Sequence, residues 1–378
     1  MKRNTFITVA GGQPVIDRQQ LVVRPLSERK NKVVFDRDAI SPLQQPQILS
    51  EAGHALIERT VARIRAAKEK KSSVMLTFGA HTIKNCMAPT LIELMQHGWI
   101  THLATNGAGI IHDWELAFQG QTSEDVRANV ARGQFGIWEE SGRYINLAIL
   151  VGAYEHLGYG EAVGKMIANE GLQIPEPRTL YNIAQEKMET DPDRAAAAID
   201  LAGAISHFGL KSGFMSIPHP WKQYSVQGQA YHLGIPFTGH PMFGHDIIYT
   251  HPMNHGAAIG RTAQNDFLRY AASVYNLEDG VYMSVGSAVM SPMIFEKSLS
   301  MSQNLKIKEG KHIDNHYLLI VDLAESDWDW QTDGEPPMDH PAYYLRYCKT
   351  FHRMGGEMHY LTSDNRDFLL SLSQKLNL

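Results

Sequence analysis

Glycines, histidines and carboxylates recur together at four places in this chain. The first is Phe78-Gly79-Ala80-His81-Thr82-Ile83-Lys84. An apolar run ends at a glycine, and small residues then lead into a helical stretch. Backbone N–H groups at such a start attract phosphate, and Lys84 adds charge. An ordinary strand-to-helix turn would look the same. The second is Thr105-Asn106-Gly107-Ala108-Gly109-Ile110-Ile111-His112-Asp113. Its glycines let backbone approach a ligand closely. It is not a G-x-G-x-x-G, because His112 stands three residues after Gly109, so it fails the Rossmann fingerprint. The plainer reading makes it a tight connector with Asp113 as a capping carboxylate.

The third place is Gly239-His240-Pro241-Met242-Phe243-Gly244-His245-Asp246, followed by His251, Asn254 and His255. Short loops dense in His, Asp and Gly commonly line sites. His251 and His255 are four apart, but Pro252 and Asn254-His255-Gly256 argue a turn. No Glu completes an H-E-x-x-H, so no metal site is expected. The fourth joins Gly286-Ser287-Ala288 to the acidic loop Asp322 to Asp339. Carboxylates there alternate with Trp328 and Trp330. Such a loop could hold a cationic amine by charge pairing and cation–π attraction, or be simply solvated. There is no G-x-S-x-G and no Gly-Lys-Ser/Thr, which removes the nucleophile elbow and the Walker loop.

The elements that must position these residues alternate in type. Helical spacing runs from about Leu49 to Lys71, with Ala55, Leu56, Ile57, Val61 and Ile64 apolar. Strands are expected at 73–78, 100–105, 280–285, 316–323 and 358–361. Ser225–Leu233 and Ile235–Phe243 lead into Asp246-Ile247-Ile248-Tyr249. Helices are expected near 88–97, 123–132, 161–170, 262–275 and 292–304, with a helical hairpin over 191–208 and a terminal helix from Asn365. This alternation predicts a three-layer α/β fold: a mostly parallel sheet with helices on both faces. Ligands should then bind outside the carboxyl ends of the strands, where all four segments fall. Residues 1–48, punctuated by Pro14, Pro25, Pro42 and Pro46, read as an N-terminal arm. Residues 49–378 read as a single α/β domain.

Composition narrows the function classes. The chain has 378 residues, 43% of them hydrophobic, enough for a large core. A net charge of -5, from 35 basic and 40 acidic residues, gives no case for nucleic acid or an anionic membrane. No apolar run reaches a membrane span, and Met1 to Asp17 lacks the apolar run of a leader. The two cysteines, Cys86 and Cys348, are too few for a disulfide framework, so a cytoplasmic protein is expected, with one bridge left open.

Three stretches resemble the deoxyhypusine synthase family. Leu94 to Gly109 is similar to that family's helix, strand and Gly turn. Ile235-Pro236 with Asp246-Ile247-Ile248-Tyr249-Thr250-His251 is similar to its Asp-bearing segment. His316 to Val321, an acidic loop and Thr362-Ser363-Asp364 resemble its last strands. The resemblance covers roughly 73–125 and 230–370. It implies a deoxyhypusine synthase-like NAD-binding fold, a homotetramer, and NAD contacts at Ala80, His81, Asn106 and Gly107, with cofactor carboxylates at Asp246 and Asp364. The nearest counterpart of the family's imine-forming lysine is Lys349. The family's paired Glu after the Gly turn is replaced by Ile111 and His112. Its Lys-His-His segment is replaced by Ser291-Pro292-Met293. The expected function is an NAD-dependent enzyme acting on an amine or other small polar substrate. His112 or His251 would be general base, Lys349 nucleophile, and Lys84 a phosphate partner. A same-fold enzyme without NAD and a non-catalytic small-molecule binder are the alternatives.

Overall fold

The computed structural model describes residues 5–8, 11–47 and 49–378. Its centre is a six-stranded sheet of β1 (Val74–Phe78), β2 (His102–Asn106), β3 (Phe237–His240), β4 (Val281–Val285), β5 (Tyr317–Asp322) and β6 (Glu357–Thr362). The spatial order is β6-β5-β4-β1-β2-β3, and every neighbouring pair is parallel. The fold is therefore the three-layer parallel α/β architecture expected from the alternation of elements.

The side-chain period of two decides which layer each strand residue enters. Val74, Leu76 and Phe78 of β1, Val281, Met283 and Val285 of β4, and Tyr317, Leu319 and Val321 of β5 point into one core layer. Met75, Tyr282, Leu318 and Ile320 point into the other. Helices α1 (Glu51–Lys70), α2 (Gly107–Gln119), α3 (Glu139–Tyr154), α4 (Tyr159–Asn169) and α7 (Asn365–Leu376) pack in the first layer. Helices α5 (Gly256–Tyr275) and α6 (Met290–Lys308) bury Tyr270, Val274, Phe295 and Leu299 in the second. Both faces are covered, so β1 and β4 are buried along their whole length and read as unbroken apolar runs.

Three local expectations change. Residues 123–132 split into a strand, Gln121–Glu124, and a short helix, Val126–Ala131. The stretch 191–208 is one helix, Pro192–Phe208, which packs on the preceding Pro177–Lys187. Helix α3 has no counterpart in the sequence reading. Its segment Ile145–Val151 is buried throughout and apolar apart from Asn146, so it lacks an amphipathic stripe.

Residues of the expected arm are bound to the domain. Asn31–Val34 pairs antiparallel with Gln121–Glu124. The Arg18 guanidinium donates to the Tyr249 carbonyl at 2.9 Å and to Asn254 Oδ1 at 2.7 Å. Among the described residues no helix is long and apolar enough to cross a membrane. Cys86 and Cys348 are buried free thiols.

Candidate functional site

A strand order of 3-2-1-4-5-6 reverses direction between β1 and β4, and a crevice opens at that switch point. There Gly79, which ends β1, lies against Gly286, which ends β4: a Cβ on Gly79 would overlap the Gly286 carbonyl oxygen. Gly286 has φ +58, and no described residue other than its chain neighbours lies within 4 Å of where its Cβ would be. The two turns thus touch below and leave open space above. That space is a cavity of about 350 Å³ whose walls include Gly79, Asn106, Gly107, His240, Asp246, Gly286 and Ser287. Helix α6 begins at its edge. Its N-cap, Val289, supplies no side-chain acceptor, though Ser287 Oγ accepts from the Ser291 N–H at 3.3 Å.

Asn106 and Gly107 reach the cavity with their groups already engaged. Asn106 Oδ1 caps α2 by accepting from the Gly109 N–H at 2.9 Å. Gly107 is glycine because Asp246 is pressed against it: a Cβ there would overlap Asp246 Oδ2. A carboxylate therefore already occupies the positive end of α2. Asp246 Oδ1 accepts from the Ile248 N–H at 3.1 Å, but burial dominates and pushes the carboxyl up to about 6.

Beside this crevice lies a second cavity of about 570 Å³, which shares Ala108, His245 and Asp246 with it. Its wall contains a buried charge cluster. Arg29 Nη1 donates to Glu115 Oε1 at 2.7 Å and stands 3.9 Å from Glu124 Oε1. Glu124 accepts from the Gly136 N–H, the Trp138 indole and the Asn129 amide. Among the described residues the buried Arg29 Nη2 has no partner, and neither does Ser123 Oγ. Ser123 also holds φ +67, a strained conformation for a non-glycine residue. Both residues line this cavity.

His112 belongs to the same cluster. The Thr122 hydroxyl donates to Glu115 Oε2 at 2.6 Å, so its oxygen accepts from His112 Nδ1–H, also at 2.6 Å. That assignment leaves Nε2 with its lone pair for the cavity. Desolvation, opposed by Glu115, holds the ring down at about 4. His112 is therefore a neutral hydrogen-bond acceptor near pH 7, and its lowered basicity counts against the expected role as general base.

Other expected site residues lie elsewhere. Ala80 and His81 begin the five-residue helix Ala80–Lys84 beside Gly79; His81 is exposed, and Lys84 reaches the second cavity. His251 is a buried corner. Its Nδ1 accepts from the Met253 N–H at 3.1 Å, Nε2 faces Glu139 at 3.4 Å, and the ring fills the space left by Gly142. Asp364 caps α7 by accepting from the Arg366 N–H at 2.8 Å, beyond the outer strand β6. Lys349, in the crossover helix Arg346–His352, pairs with Glu335 at 3.4 Å and lies 4.1 Å from the Tyr343 ring centre. Within the acidic loop Glu335 also binds Arg353 and the Trp328 indole donates to the Gly334 carbonyl, while the buried Trp330 Nε1 has no partner among the described residues. None of His251, Asp364 and Lys349 lines either cavity. Lys349→Ala is expected to leave ligand binding unchanged and to lower stability by less than about 1 kcal/mol, which calorimetry and thermal melts read directly.

Asp113 is also structural. It accepts from Ser225 Oγ and from the Val226 and Gln227 N–H groups, and so anchors the next helix, Val226–Leu233. Among the described residues no three His, Cys, Asp or Glu side chains are placed to hold a metal ion. Sequence reasoning missed Arg29, Ser123, Glu115 and Glu124. One signal was present: His112 and Glu115 lie one turn apart on a largely buried helix, and a buried charge needs a partner.

No family model matches the chain, and no curated protein does. Solved structures are similar to it, among them the following three. ArgZ, an arginine dihydrolase from the ornithine-ammonia cycle in cyanobacteria, matches with a TM-score of 0.40 and 13% identity over 85% of this chain and 32% of its own. AgrE in complex with ornithine and NAD+ matches with a TM-score of 0.42 and 14% identity over 87% and 34%. A conserved LOR/SDH protein from Methanococcus maripaludis S2 matches with a TM-score of 0.41 and 11% identity over 89% and 73%. The chain spans about a third of the length of ArgZ and AgrE. Likeness at this level carries no argument about activity.

Proposed function

We propose that the chain is an NAD-dependent enzyme acting on a small substrate that carries an ammonium group and an anionic group. The observation that carries this reading is the pair of adjoining cavities, one at the sheet's switch point and one walled by buried charge, with Asp246 between them. The first suits a dinucleotide. Close-packed Gly79 and Gly286 clear its floor, and the N-cap of α6, Val289, offers no side-chain acceptor, so its first-turn N–H groups other than that of Ser291 suit a pyrophosphate. The Asn106–Gly107 turn is a poorer phosphate contact, because Asp246 is already there.

The second cavity suits the substrate. Its buried wall holds one cation, Arg29, against the carboxylates Glu115 and Glu124, with Asp246 beside them. An ammonium group would offset that excess of negative charge. Lys84 at the rim makes no ion pair among the described residues and is free for an anionic group. Bound in the first cavity, nicotinamide would supply a hydride acceptor for the carbon bearing the amine. Asp246 would hold the ammonium at the junction of the two cavities and take the N–H proton lost as the carbon gives up its hydride, and His112 Nε2 would accept a hydrogen bond from the same group. The finer deoxyhypusine synthase-like reading, transfer through an imine to a lysine, loses its residue, because Lys349 sits in the β5–β6 crossover away from both cavities.

Titration with NAD+ by calorimetry is expected to give saturable heat and a raised melting temperature. A panel of amino acids and diamines is then expected to yield NADH absorbance only for members that carry both charges. Neither heat nor thermal shift with NAD+ and with NADH would sink the reading.

A further inference from the structure

A chain of four hydrogen-bonding side chains crosses the sheet from the crevice to its opposite edge. His240 Nε2 meets Thr238 Oγ1 at 2.9 Å, Thr238 Oγ1 meets His102 Nε2 at 3.0 Å, and His102 Nδ1 meets Ser273 Oγ at 2.7 Å. The sequence places them simply. Thr238 and His240 are two apart on β3, so they share a face, and His102 opens the neighbouring strand β2. Ser273 approaches from α5. Tyr270, one turn earlier on that helix, packs edge-on against both imidazoles with ring centres 5.5 and 5.2 Å away.

The two ends open into different cavities. His240 lines the switch-point crevice, and with Nε2 on Thr238 its Nδ1 is the nitrogen left to face that space. Ser273 is half-buried in a separate cavity of about 620 Å³ at the amino ends of the strands, shared with Thr101, Gln227 and Arg269. An apolar set of similar volume would fill the same core without four polar groups to satisfy.

We propose that His240, Thr238, His102 and Ser273 form a proton-conducting path between the crevice and the cavity on the far edge of the sheet. Every member is both donor and acceptor, so the chain has two complete hydrogen-bonded states. In one, His240 Nε2–H donates to Thr238, Thr238 O–H to His102 Nε2, and His102 Nδ1–H to Ser273. In the other every bond is reversed, and His240 carries its proton on Nδ1. A proton arriving at His240 Nδ1 drives the first state into the second. Each N–H or O–H bond breaks as the next forms, and Ser273 releases its own hydroxyl proton to water in the far cavity. No electrons change partners. Burial holds both imidazoles down at about 3, so they relay as neutral rings and do not store the charge. The path would serve the function proposed above by carrying away the proton that amine oxidation releases while ligands fill the crevice.

The test needs neither cofactor nor substrate. Nitrogen-15 NMR of the histidine rings reads which nitrogen of His240 carries the proton. Ser273→Ala is expected to change the His240 tautomer ratio by about threefold or more, through two intervening side chains. The same substitution in a Thr238→Val background is expected to change nothing, and Thr238→Ser is expected to restore the coupling and to control for folding. An unchanged His240 tautomer in Ser273→Ala, with Thr238 intact, overturns the path. Failure of NAD+ to bind would remove the proposed function and leave this result standing.

Discussion

Arg29→Met is expected to destabilise the protein by about 3–5 kcal/mol, the range for removing one partner of a buried ion pair. The reason lies in what remains. Glu115 is 1% exposed and Glu124 is 8% exposed, and Arg29 is the one cation within 4 Å of both among the described residues. Without it, Glu115 keeps only the Thr122 and Ser141 hydroxyls, which cannot balance a charge. For a chain of this length the fall in melting temperature should be on the order of 10 °C. Arg29→Met with Glu115→Gln should recover at least half of it, because the charge and its partner leave together. Circular dichroism melts of the three proteins decide the matter. A single-variant loss below about 1 kcal/mol would mean that Arg29 is not the counter-charge of the cavity wall. The double variant should also bind the ammonium-bearing substrate more weakly, since Glu115 contributes to the wall's negative charge.

Arg29 also shows where sequence reasoning stops. It lies in a proline-punctuated stretch with no periodic pattern, two residues before a four-residue strand. What buries it is the pairing of Asn31–Val34 with Gln121–Glu124, a contact across about ninety residues. Nothing local announces such a contact, because β pairing is set by packing more than by backbone preference. The sheet was legible for the opposite reason: a strand covered on both faces must be apolar throughout, as Val74–Phe78 and Val281–Val285 are. The crevice followed from the sheet, since Gly79 and Gly286 end strands β1 and β4 and Asn106–Gly107 end β2. Lys349 and Asp364 illustrate the converse. Their local sequence resembles a family pattern, but β5 and β6 lie outside the switch point, so residues after those strands reach a different part of the rim.

Asp246→Asn is expected to weaken binding of the ammonium-bearing substrate by about 2–5 kcal/mol while stabilising the unliganded protein at pH 7. The two signs have one cause. Burial against Gly107 raises the carboxyl to about 6 in the folded protein, above its ordinary 3.8. The folded state then holds this proton more tightly than the unfolded chain, so the stability it contributes is full below about pH 4. That contribution is lost as pH rises toward 6 and beyond. Asn keeps the acceptor for the Ile248 N–H and carries no charge to desolvate, so the variant should escape this loss. Binding runs the other way. The ammonium needs the carboxylate, so wild-type affinity should rise about tenfold between pH 5 and pH 7, through the same group. In Asp246→Asn that slope should vanish, and the remaining affinity should be flat over the interval. Calorimetric titrations at several pH values, set beside melts of the unliganded proteins, measure both effects. If the variant kept the wild-type pH slope, another group would be titrating and Asp246 would not be the ammonium partner. If it lost affinity and also melted earlier at pH 7, the carboxylate would be holding the Gly107 turn together and not waiting for a ligand.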